Sequence, residues 1–81
     1  MKTDDAHELI GQTLLDIVPD ADLAALTADT DIRQALELDS LDFVEFVERL
    51  SKRSNFRIDE EDYPALRTMG SAEAFIAAKA S

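Results

Sequence analysis

The stretch Leu36-Glu37-Leu38-Asp39-Ser40-Leu41-Asp42-Phe43-Val44-Glu45-Phe46-Val47-Glu48 carries the clearest pattern in the chain and decides its fold. At about 100° per residue, Phe43, Phe46, Val47 and Leu50 fall within roughly 100° of one another, the width of a core-facing stripe. They predict a helix from about Ser40 to Lys52 or Arg53. Leu41 and Val44 fall off that stripe, beside Glu45 and Glu48. The same helix therefore shows a second, apolar face rimmed by acids, the pattern of a docking surface. Asp39 or Ser40 caps it. The free backbone N–H groups at that end make an anion site beside the Ser40 hydroxyl, which suits an attached phosphate. Further along, Glu45 with Arg49 and Glu48 with Lys52 have the spacing of helical ion pairs, each worth about 0.2–0.5 kcal/mol.

Upstream, Ala6, Ile10, Thr13, Leu14 and Ile17 share one face of a helix predicted from about Asp4 to Val18. Thr3 to Asp5 supply its cap and N-terminal charge, and Pro19 closes it. His7 falls in its first turn and reads as a solvated side chain. From Pro19 to Leu38 runs a long connection, some of it in helical turns. Leu23, Leu26, Ile32, Leu36 and Leu38 pin it over the helices.

Downstream, Phe56 and Ile58 read as buried anchors. Asp59-Glu60-Glu61-Asp62 opens a short helix with Asp59 as its cap, and Pro64 limits that helix to about one turn. Thr68 or Ser71 caps a final helix ending near Lys79, in which Met69, Ala72, Phe75 and Ile76 face inward. The fold class is all-α: an antiparallel bundle of three main helices plus one short helix, with a long loop between the first two main helices.

Eighty-one residues are enough for one modest core, so residues 1–81 read as a single domain. With 46% hydrophobic residues, two glycines and two prolines, the composition is globular and favours helix. There is no cysteine, so disulfides and thiolate zinc sites are excluded and any thiol chemistry comes from outside the chain. Eighteen acids against eight bases give a net charge of −10, which repels nucleic acid and anionic membrane and favours partners with basic surfaces. No apolar run approaches the roughly 20 residues of a membrane span, and the N-terminus lacks a signal-like apolar segment. A cytoplasmic protein is the default expectation.

Catalysis finds no support. A nucleophilic serine needs a positioned base and an oxyanion site, yet no Gly-x-Ser-x-Gly elbow exists and the one histidine lies in another helix. An EF-hand loop beginning at Asp20 fails at Ala24, Ala25 and Asp31, so no metal site is expected beyond weak screening by surface acids.

Leu38-Asp39-Ser40-Leu41-Asp42 resembles the phosphopantetheine attachment motif of acyl carrier proteins. The resemblance extends through the Val44-Glu45 pair, Phe56 and Ile58, the acidic short helix and Thr68, and so covers nearly the whole chain. It implies a free-standing, monomeric acyl carrier protein without catalytic activity. A separate phosphopantetheinyl transferase would attach 4′-phosphopantetheine from coenzyme A to Ser40, flanked by Asp39 and Leu41. The arm would present acyl groups as thioesters to partner enzymes of fatty acid, polyketide or specialised lipid biosynthesis. The family's docking helix maps onto Asp39, Leu41, Asp42, Val44, Glu45 and Glu48. A peptidyl or aminoacyl carrier, or an unmodified acidic helical adaptor, is the alternative. Three departures stand out: Glu37 where many members have glycine, Ile58-Asp59 where Ile-Pro is common, and Phe43 and Phe46 where smaller or aliphatic residues are frequent. They put ordinary fatty acid synthesis in doubt, and the two phenylalanines are expected to shrink the space for an acyl chain.

Overall fold

Ala6, Ile10, Thr13 and Leu14 wind along one face of α1 (Thr3–Ile17), and all four are fully buried in the computed structural model, which describes residues 1–80. Ile17, the fifth member of the stripe, is half-buried at the helix end. The start differs from the expected cap. Lys2 is the capping residue and no side chain closes the helix, so Asp4 and Asp5 contribute charge alone at the positive end of the helix dipole. Thr13 buries a hydroxyl without leaving it unpaired: it donates to the Leu9 carbonyl at 2.8 Å and accepts from the Arg53 guanidinium at 3.3 Å.

α3 spans Ser40–Ser54, with Phe43, Phe46, Val47 and Leu50 buried as their spacing predicts. α1 packs against it and against α4 (Met69–Lys79). Asp16 of α1 fastens the first of these contacts, accepting from Arg53 at 2.6 Å and approaching Arg49 at 3.7 Å. α4 is capped by Thr68, whose hydroxyl accepts the Ser71 N–H at 3.2 Å. Its Met69, Ala72 and Ile76 are buried. Phe75 faces inward as expected and Phe56 also packs against the core, but neither is fully buried. Both are half-buried and pack on each other at 5.9 Å between ring centroids, over the edge of the core. His7 is likewise more than a solvated side chain, because its Nδ1 pairs with Glu73 and links the start of α1 to α4.

The long connection is built from local turns. A 3₁₀ turn at Leu23–Ala25 is followed by α2 (Ile32–Ala35), capped by Asp31 through a 3.0 Å bond from the Gln34 N–H. Leu26, Ile32 and Leu38 are buried and Leu23 and Leu36 half-buried, so the apolar residues do pin the segment down. α2 ends with paired bonds from Glu37 N–H to Gln34 O at 3.4 Å and from Leu38 N–H to Arg33 O at 2.9 Å. This is the Schellman pattern, which requires a left-handed residue between them. Glu37 supplies it with φ 53°.

The connection is also tied to the far end of the chain. Ile32 N–H donates to Arg67 O at 2.9 Å, Met69 N–H to Thr30 O at 3.2 Å and Gly70 N–H to Ala28 O at 2.9 Å. A Cβ at position 70 would come within 3.0 Å of that Ala28 oxygen, so the close approach needs glycine. An isolated bridge pairs Asp31 with Thr68, and the described residues contain no strand.

The acidic segment forms a 3₁₀ helix, Glu60–Leu66, longer than the single turn expected before Pro64. Proline's fixed φ of about −65° lies within the 3₁₀ range, so the ring is accommodated inside it.

Candidate functional site

Asp39 and Asp42 build the first turn of α3 reciprocally. The Asp39 carboxylate accepts the Asp42 N–H at 2.8 Å, and the Asp42 carboxylate accepts the Asp39 N–H at 3.4 Å. Asp39, not Ser40, is therefore the cap. Ser40 becomes the first helical residue, exposed, with its hydroxyl in no hydrogen bond among the described residues. The N–H groups of Ser40 and Leu41 also lack partners there, as the geometry of a helix start dictates.

The second face expected on this helix is present. Leu41 is 79% exposed and Val44 40%. The acids around them are not equivalent. Glu45 is bound to Arg49 at 2.9 Å, as its spacing predicts. The predicted Glu48–Lys52 pair does not form, so Glu48 keeps an exposed charge without an ion-pair partner among the described residues. Asp42 is half-buried and turned back into the capping box.

Beside Ser40 opens a groove of about 670 Å³, bounded by α2, the start of α3 and the 3₁₀ helix Glu60–Leu66. Leu38, Phe43, Val44, Tyr63 and Pro64 line its apolar part. Phe43 is its centre: the Tyr63 ring meets it edge-on at 5.4 Å and the Arg33 guanidinium lies 5.2 Å from its centroid. Arg67 is held at the rim by Asp31, Nε to Oδ2 at 3.2 Å. The Gln34 N–H donated to its carboxylate, aided by Arg67 against some desolvation, holds Asp31 below the usual carboxylate range.

The sequence singles out Ser40 and the outward face of α3 but gives no sign that Arg33, Gln34, Tyr63 and Arg67 line a groove beside that serine. They come from two segments far apart in the chain, α2 and the 3₁₀ helix with its C-terminal cap, and no local periodicity links them. Among the described residues, no helix is long and apolar enough to cross a membrane, and no His, Cys, Asp and Glu cluster could hold a metal.

A family model described as phosphopantetheine attachment site matches residues 7–76. The matched span runs from the first turns of α1 through Ile76 in α4 and includes the whole groove and Ser40.

Proposed function

The chain belongs to the phosphopantetheine attachment site family, and from that premise we propose that it is an acyl carrier whose Ser40 bears the arm. Members of this family carry 4′-phosphopantetheine covalently and are not themselves enzymes, so the chain is a carrier without catalytic activity. When attached, the arm supplies a thiol that holds acyl groups as thioesters. The chain supplies attachment, recognition and reach.

The observation that carries the choice of Ser40 is its exposed hydroxyl at the first position of α3, unengaged among the described residues and beside two backbone N–H groups that lack partners there. A phosphodiester at that oxygen is favoured by the positive end of the helix dipole. The residues fit the group. Asp39 holds the turn that presents the serine, and Leu41 offers an apolar contact to the transferase that modifies it.

Partner enzymes dock on Leu41, Val44, Glu48, Glu45 and Asp42. Apolar contact supplies affinity there, and the acids steer basic surfaces toward the arm. Of the acids, Glu48 contributes most to that steering, because Glu45 shares its charge with Arg49 and Asp42 is folded into the cap. In this reading residues 1–81 act as one carrier domain, a cytoplasmic monomer serving fatty acid, polyketide or specialised lipid biosynthesis.

The test is thioester capture on the loaded protein, offered acyl and aminoacyl ligases in parallel. Acyl transfer is the expected result. Preferential aminoacyl capture would make it a peptidyl or aminoacyl carrier, and partner binding indifferent to loading would make it an acidic adaptor.

A further inference from the structure

We propose that Arg33 clamps the phosphodiester of the attached arm, so that the resting arm lies along the groove beside Ser40 instead of extending freely into solvent. The inference rests on Ser40 as the attachment point. Its starting observation is a charge out of place. In a chain of eighteen acids and eight bases, Arg33 has no acidic partner among the described residues. Arg67, the other arginine at the groove, is committed to Asp31.

The turn between α2 and α3 brings Arg33 and Ser40 to the same groove. The Leu38 N–H donates to the Arg33 carbonyl at 2.9 Å, which folds α2 back just before α3 begins. The guanidinium then lies over Phe43, one helical turn beyond Ser40, and both residues line the same groove. A guanidinium stacked on an aromatic face keeps its N–H edges free to donate, and its planar fork matches two oxygens of a phosphate. The phosphodiester is an anion delivered covalently to this place, so its local concentration is high whatever the solution contains.

Beyond the cation, the groove suits the rest of the arm. Leu38, Val44 and Pro64 give it an apolar lining, while Gln34 and Tyr63 bring an amide and a hydroxyl that can meet the arm's amides. The Tyr63 hydroxyl has no hydrogen-bond partner among the described residues. A partner enzyme docked on α3 would draw the arm out by offering its phosphate competing cations.

The experiment compares unloaded and loaded wild type with Arg33→Gln and Arg33→Lys by nitrogen-15 and phosphorus-31 NMR. Arg33 is exposed, and an unchanged amide spectrum elsewhere verifies that the variants fold. On loading, the wild-type Arg33 Nε–H resonance is expected to move more than that of Arg67. In Arg33→Gln the phosphorus line should narrow and move toward its position in the denatured loaded protein. Exposed ion pairs of this kind correspond to a clamped population lowered about two- to fivefold by the variant. Arg33→Lys should retain part of the effect, having the charge without the fork.

An Arg33 resonance unmoved by loading, or a phosphorus line identical in wild type and Arg33→Gln, overturns the clamp. Movement seen only with a long acyl chain overturns it in favour of the cargo as the groove's occupant. Intact mass separates the two levels. No mass gain removes the attachment reading and the clamp together, whereas a mass gain with an unmoved Arg33 removes the clamp alone.

Discussion

Replacing Glu37 by glycine should stabilise this protein, although it deletes a whole side chain. Glu37 occupies the left-handed position of the turn that ends α2, at φ 53°. Holding an ordinary L-residue there costs about 1–2 kcal/mol. Glycine removes that strain but returns roughly 0.5–1 kcal/mol of extra freedom to the unfolded chain. The net gain is roughly 0.5–1 kcal/mol, or about 4 °C in Tm for a domain of this size. Removing one of eighteen acids also relieves self-repulsion, so Glu37→Gln is the control for charge. Asn55, at φ 63° after α3, is the control for position. Asparagine tolerates this region, so Asn55→Gly should gain much less. Thermal unfolding followed by far-UV circular dichroism measures all three. A Glu37→Gly midpoint no higher than that of Glu37→Gln would refute the strain at this position.

Other outcomes follow from the same contacts. The net charge of −10 predicts a thermal midpoint that rises from low to moderate salt, and a flat dependence would contradict it. Asp31 titrates lower in the folded state than in the unfolded chain, so the folded form binds fewer protons and gains stability between the two values. Urea unfolding of wild type against Asp31→Asn should therefore show a wild-type advantage that is full above about pH 4 and lost as the pH falls through the lowered value. Glu48→Lys should slow association with a partner enzyme more than Glu45→Lys, with little change in stability for the former. Stopped-flow binding in which the two variants slow equally would remove the distinction drawn from the Glu45–Arg49 pair.

Where a pattern repeats over several turns, it was readable. Phe43, Phe46, Val47 and Leu50 are buried, and Leu41 and Val44 point outward, because a 15-residue amphipathic helix leaves one arrangement for its apolar stripe. Short elements gave no such signal. α2 has four residues, less than the spacing needed to show a period, and it is fixed by Asp31 before it and the Schellman turn after it. Glu37 was visible as a departure from glycine, but its backbone consequence was not, since nothing local marks the end of so short a helix. Pro64 is a stop signal for an α-helix, but the segment adopts the 3₁₀ form, which accommodates it. His7 and Glu73 lie 66 residues apart, a separation at which helical periodicity is silent. At the site, the serine and its acidic face belong to one helix and could be read together. The groove needed α2, α3 and the 3₁₀ helix assembled before Arg33 met Phe43.

The central claim is that Ser40 carries the arm, and one measurement addresses it directly. Wild type and Ser40→Ala are incubated with coenzyme A and a broad-specificity phosphopantetheinyl transferase, and their intact masses are read before and after. The account predicts a single phosphopantetheine added to wild type, located on the peptide containing Ser40, and none on Ser40→Ala. An unmodified wild type, or an adduct that survives in Ser40→Ala, would contradict it.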